Sequence, residues 1–188
     1  SKILKNNGVI SVPTDTVYGL CSRINSSQAY NNLLNVKNRS KSKFFSIMCA
    51  NIEQVKKIAI VNDLAEKLIS EFMPGPITLI LKKNREFPKY ANKEIDTVAI
   101  RMATSKELEE LIMLVGSPLF MTSANISGAK ECKDIDEIVK SFPNIDGILE
   151  GSVNYGISST IVDLTNNNIK IVRNGPIELK DILEKINC

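Results

Sequence analysis

Ser159-Thr160-Ile161-Val162-Asp163-Leu164, then Asn166-Asn167-Asn168, then Ile169-Lys170-Ile171-Val172: two short β-branched runs around an Asn cluster read as a hairpin. This stretch decides the fold class. Upstream of it, strands and helices alternate, a pattern that on its own suits an all-parallel, doubly wound sheet. An antiparallel pair near the end of the chain, together with irregular spacing, predicts an α/β domain built on one mixed sheet instead.

Working outward from the hairpin, strands are expected over Val9 to Val12, Ser46 to Cys49, Ile77 to Leu81, Thr97 to Met102, Leu119 to Met121 and Gly147 to Leu149. Helices are expected behind the caps Ser26 or Ser27, Asn51, Asn62 and Ser105, over Asp134 to Phe142, and over Ile177 to Ile186 at the end. Met73-Pro74-Gly75-Pro76 is a stop. The 188 residues are expected to form one domain, 1–188, and 43% hydrophobic residues suffice for a core without staples.

The chain has no histidine, which excludes Ser-His-Asp and Cys-His nucleophile systems and any histidine-held metal. The four cysteines are scattered, with no C-x-x-C spacing, as free thiols in a reducing compartment would be. With no apolar run of 18 residues and no signal-peptide pattern, the expectation is a cytoplasmic protein with no membrane partner. Net charge is only +3, yet no acidic residue falls between Asp15 and Glu53, where Arg23, Lys37, Arg39, Lys41 and Lys43 all lie. That local excess favours an anionic partner.

Four polar segments follow apolar elements, where α/β folds keep their sites. Pro13 to Leu20 (PTDTVYGL) offers hydroxyls, a carboxylate and a close-approach glycine, although a capped turn uses the same residues. Lys37 to Lys43 (KNRSKSK) can grip a polyphosphate, and a solvated basic turn reads identically. Thr122 to Gly128 (TSANISG) combines small residues with hydroxyls and an amide, as a side-chain-capped turn also would. Ser158 to Asp163 with Arg173-Asn174-Gly175 sets hydroxyls opposite a guanidinium. Arg101, at the end of an apolar strand, either snorkels outward or points into a polar cavity. Neither G-x-x-x-x-G-K-[ST] nor G-x-G-x-x-G occurs, so P-loop and Rossmann readings fail.

In this order, and with MPGPITLIL at 73–81 and VAIRM at 98–102, these segments resemble the YrdC-like family of threonylcarbamoyl-AMP synthases. The resemblance implies an open, twisted mixed parallel/antiparallel sheet with flanking helices around a large, concave basic cavity. It implies condensation of L-threonine, bicarbonate and ATP into threonylcarbamoyl-adenylate and pyrophosphate. Mg²⁺ would be held through the ATP phosphates and not by the protein alone. It further implies transfer of the product to a tRNA threonylcarbamoyl-transferase protein, and leaves room for binding of double-stranded RNA or tRNA. By motif match, Lys37, Arg39, Lys43, Thr97, Ser123, Ala124, Asn125 and Arg173 would face ATP, with Lys37 and Arg39 catalytic. Thr16, Arg101, Thr122 and Ser159 would surround threonine. Lys37 in such a role is expected to be dispensable for folding. Two positions depart from the family pattern: Phe44 follows the basic loop, and Met48 stands where many members place a histidine near the amino-acid pocket.

Two other functions fit the same residues less fully. A non-catalytic RNA-binding module would use the basic cavity, although aromatic residues are only 5% and none interleaves the basic stretch except Phe44 and Phe45 at its edge. A carbamoyl-transfer domain of hydrogenase-maturation type belongs to multidomain chains, for whose extra modules 188 residues leave no room.

Overall fold

A computed structural model describes residues 1–38, 44–91, 93–126, 128–166 and 168–187. Among them the chain runs α1 (Lys2–Lys5), β1 (Ile10–Val12), β2 (Gly19–Arg23), α2 (Ser27–Lys37) and β3 (Ser46–Cys49). It continues through α3 (Ile52–Ile58), α4 (Asp63–Phe72), β4 (Ile77–Lys82), β5 (Thr97–Met102), α5 (Lys106–Val115) and β6 (Leu119–Ser123). It closes with α6 (Ile135–Ser141), β7 (Gly147–Ile148), β8 (Thr160–Asp163), β9 (Lys170–Arg173) and α7 (Leu179–Asn187).

The strands form one sheet in the order β7-β1-β2-β6-β3-β5-β4-β8-β9. Three neighbour pairs, β1 with β7, β3 with β5 and β4 with β8, are parallel, and the other five are antiparallel. The mixed sheet is as the sequence predicts. The hairpin of β8 and β9 is antiparallel, with a register shift between Ile161 and Val162 that sets Ile161 opposite Arg173.

Helix starts follow the side-chain caps. Ser26, Asn51, Asn62, Ser105 and Asp134 each accept a hydrogen bond from the backbone N–H three residues on. The C-terminus of α2 is closed by Asn38 in the left-handed conformation, φ +46°. Two elements were not legible. The segment α1 is a single turn, and β2 (Gly-Leu-Cys-Ser-Arg) carries little strand propensity. It becomes a strand because β1 and β6 pair with it on both sides.

Alternation along the strands divides the side chains between two faces. Leu20, Ile47, Ile77, Leu79, Val98, Ile100 and Phe120 belong to the larger core, where α2, α3, α4, α6 and α7 contribute Leu33, Val55, Ala65, Ile138 and Ile182. Cys21, Met48 and Leu119 face the other way, into a smaller core under α1 and α5 with Leu4, Leu108 and Ile112. These two helices cover only part of that second face. Where the cover stops, Ser46, Ala99, Arg101 and Met121 line an open cavity.

At the edge of this cavity Gly175 lies so close to the chain that a Cβ there would meet backbone atoms of Ser158, Ser159 and Thr160. Gly175→Ala is therefore expected to lower stability by about 1–3 kcal/mol, read as a drop in the urea midpoint. Burial also pushes the thiols of Cys21 and Cys49 far above the ordinary cysteine range. Both should be inert to a thiol reagent in native protein and react on unfolding. Because only the unfolded chain ionises them readily, their contribution to stability is full below about pH 8.5 and declines as the pH rises above it. Alkaline unfolding that is unchanged in Cys21→Ala and Cys49→Ala proteins would refute this account.

Candidate active site

The cavity encloses about 270 Å³, and its floor is the uncovered face of β3, β4, β5, β6 and β8. Arg101 projects from β5, an interior strand, and is almost completely buried. Its guanidinium donates to Asp15 Oδ1 at 2.6 Å, to Thr16 Oγ1 at 2.9 Å and to the carbonyl oxygen of Gly75 at 3.0 Å. Desolvation lowers the Arg101 pKa from its ordinary value, and the Asp15 carboxylate works against that shift.

The loop that supplies Asp15 and Thr16 is wound by Thr14. Its hydroxyl accepts from the backbone N–H groups of Thr16 and Val17, both at 3.2 Å, and donates to the Val17 carbonyl at 2.6 Å. The hydroxyls of Thr14 and Thr16 lie 3.0 Å apart. Thr16 can therefore give its proton to Thr14 while accepting from Arg101.

Across the cavity, the Thr78 and Ser159 hydroxyls are 2.7 Å apart. Arg173 donates from Nε and Nη2 to the Ser159 carbonyl at 3.0 and 2.8 Å, and from Nη2 to the Ser159 hydroxyl at 3.1 Å. Ser158 donates to Glu131 at 2.9 Å. Partial desolvation lowers the Arg173 pKa; nearby Glu131 opposes this and the Arg101 charge adds to it. The two guanidiniums thus feel each other across the cavity.

The third wall is the 122–125 loop. Thr122 and Ser123 line the cavity, and Lys37 holds the loop from behind. The Lys37 ammonium, buried at the end of α2, donates to the carbonyls of Ser123 and Asn125 and to Asn125 Oδ1. Ser123 Oγ donates to the same Oδ1 at 2.7 Å, and Asn125 Nδ2 donates to the Ala129 carbonyl at 2.6 Å.

A family model described as telomere recombination, Sua5/YciO/YrdC, matches residues 2–175. The chain belongs to the Sua5/YciO/YrdC family. A relative of this family from Methanocaldococcus jannaschii is 34% identical over 183 residues, 96% of this chain and 86% of its own length. The threonylcarbamoyl-AMP synthase of Pyrococcus abyssi is 32% identical over 186 residues, 97% of this chain. This chain spans only 54% of that synthase. The crystal structure of P. abyssi Sua5 complexed with L-threonine superimposes with a TM-score of 0.93 at 30% identity, covering 98% of this chain and 55% of that one. E. coli YciO superimposes with a TM-score of 0.83 at 26% identity, covering 96% and 89%.

In this Sua5/YciO/YrdC chain the motif residues gather unevenly. Thr16, Arg101, Thr122, Ser123, Ser159 and Arg173 share the one cavity. Thr97 begins β5, about 13 Å along the strand from Arg101, and is not among the lining residues. Ala124 is fully buried, its N–H bonded to the Tyr18 carbonyl and its carbonyl to the Cys132 N–H. Lys37, expected to face ATP, is buried, and its ammonium donates to oxygens of Ser123 and Asn125. Met48 is buried in the smaller core, in register with Arg101 on the adjacent strand, and is not itself among the lining residues, while Phe44 does line the cavity. Arg39 and Lys43 lie outside the described residues.

Sequence reasoning missed Thr14, Ser46 and Thr78 as lining residues and Asp15 as the partner of Arg101. Thr78 had a signal, being the hydroxyl that interrupts the apolar run 77–81. Among the described residues no helix is long and apolar enough to cross a membrane.

Lys37→Ala is expected to cost about 1–3 kcal/mol, because loop oxygens lose a buried charged donor. Faster hydrogen exchange at residues 123–125, at a pH where the fold persists, would locate the damage. A Lys37→Ala protein with wild-type stability and exchange would show that the tether is unimportant.

Proposed function

We propose that this chain is a threonylcarbamoyl-AMP synthase, joining L-threonine, bicarbonate-derived CO₂ and the AMP part of ATP, with release of pyrophosphate. The observation that carries this reading is a buried arginine on the cavity floor, ringed by Thr16, Thr122 and Ser159, in a chain that matches named synthases over nearly its whole length. Arg101 anchors the threonine carboxylate, and the surrounding hydroxyls orient the amino acid. Arg173 and the 122–125 loop take the phosphates, with Arg39 and Lys43 of the basic loop and Thr97 as further ATP contacts. Ala124 and Lys37 serve through the loop, Lys37 by holding Ser123 and Asn125.

The threonine amine adds to CO₂ as a carbamate, and a carbamate oxygen then attacks the α-phosphate in line. This step needs alignment and charge neutralisation more than a protein nucleophile, which suits a chain without histidine. Mg²⁺ arrives with the ATP phosphates. Among the described residues no three His, Cys, Asp or Glu side chains form a cage for it. Residues 1–188 work as one domain and pass the adenylate to a tRNA-modifying transferase. A cytoplasmic setting, where ATP and tRNA meet, fits this chemistry.

The test is pyrophosphate release from Mg·ATP. Release should require both L-threonine and bicarbonate and should be much weaker with L-serine. Arg173→Ala, a change at the exposed rim, should raise the KM for ATP by about 10- to 150-fold, the loss of one charge-assisted contact, with the protein still folded. Folded wild-type protein that releases no pyrophosphate under these conditions would refute the proposal.

A further inference from the structure

A hydroxyl carries one proton to donate and needs an acceptor for it. Five hydroxyls lining the cavity give theirs to the protein. Ser46 donates to the Met121 carbonyl, Ser123 to Asn125 Oδ1 and Ser158 to Glu131. Thr14 donates to the Val17 carbonyl, which leaves Thr14 as the acceptor for Thr16. The Thr78–Ser159 pair is different. Its oxygens lie 2.7 Å apart and hold two protons, of which their mutual hydrogen bond uses one. The further contact, from Arg173 Nη2 to Ser159 Oγ at 3.1 Å, brings a proton in and takes none away. Among the described residues no other acceptor meets either hydroxyl. One proton is therefore left over, in a buried pair that lines the cavity.

The spare proton sits beside Arg101. Strands β4 and β5 are antiparallel with Leu79 opposite Ile100, so the next position sets Thr78 abreast of Arg101 on the same face. Arg173 holds Ser159 from the other side. An acceptor placed there has a guanidinium on either hand, which suits a negatively charged oxygen. We infer that Thr78 is a positioning residue for the amino acid: it donates to Ser159 Oγ and so turns the Ser159 proton toward the carboxylate held by Arg101. The inference rests on the assignment of threonine to the Arg101 cavity. Ser159, polarised by a guanidinium, is the better donor of the two hydroxyls, and a carboxylate is a better acceptor than a neutral hydroxyl. With Arg173 and Thr78 both donating, the lone pairs of Ser159 are occupied, and its own proton is the group it has left to offer.

Calorimetry with Mg²⁺ and a non-hydrolysable ATP analogue tests this through L-threonine affinity in Thr78→Val, Thr78→Ser, Ser159→Ala and the Thr78→Val, Ser159→Ala double variant. Thr78→Val keeps the side-chain shape and removes the hydroxyl. It should weaken L-threonine binding by about 3- to 10-fold, the scale of one neutral hydrogen bond, and Thr78→Ser should restore it. Because Thr78 acts through Ser159, its loss should vanish once Ser159 is alanine, so that the double variant binds L-threonine as Ser159→Ala does.

A folded Thr78→Val protein with wild-type L-threonine affinity overturns the inference and leaves the synthase reading standing. So do losses that multiply in the double variant, a Thr78→Ser protein as weak as Thr78→Val, or a loss that falls on the ATP analogue and not on L-threonine. If Thr78→Val does not fold, Thr78→Ala, which lacks the same hydroxyl, takes its place in each comparison. Wild-type protein that binds no L-threonine overturns both readings.

Discussion

A guanidinium set on an interior strand has to be neutralised and hydrogen-bonded where it stands, and the architecture around Arg101 follows from that requirement. Asp15 and Thr16 come from the loop after β1, and the Gly75 carbonyl from the turn before β4. One side chain thus ties two distant turns to the middle of the sheet. Breaking such a pair costs about 3–5 kcal/mol in a protein interior, a large share of the stability of a domain this size. The same contacts draw the threonine-rich loop over the cavity, so the demand of one buried charge also shapes the cavity.

The second organising feature is unequal cover on the two faces of the sheet. Five helices seal one face. On the other, α1 and α5 cover only part, and the open remainder sets serine, threonine, alanine and arginine beside a few apolar residues such as Met121 and Ile161. The strands stay rigid because their sealed face holds them, while small side chains on the open face leave room for a ligand. A site on such a floor holds reactants in register with little movement of its own, which is what a reaction driven by alignment and charge requires.

Behind the site, support comes from groups that do not line the cavity. Lys37 closes α2 and spans to the 122–125 loop, and Gly175 lets the Arg173 segment lie against Ser158 to Thr160. A positive charge at a helix C-terminus is favourable in its own right. Here it also reaches the Ser123 and Asn125 carbonyls of the loop.

Much of this was legible in the chain. Strand runs such as 97–102, the caps Asn51, Asn62 and Ser105, and the closing hairpin have local causes, namely alternation, side-chain capping and turn chemistry, so sequence alone determined them and with them the mixed sheet. The lack of histidine likewise settled what kind of catalysis is available. The ordered motifs identified the family and six of the residues that meet in the cavity. Only the tertiary structure decided that Gly19 to Arg23 is a strand, because its neighbours and not its residues make it one. It also decided that Lys37 faces a loop, that Met48 is core, and that Asp15 is the partner of Arg101. The Lys37 and Asp15 contacts join surfaces 85 or more residues apart in the chain, and a charge reads the same in sequence whether its partner is a solvent molecule, a substrate or another side chain.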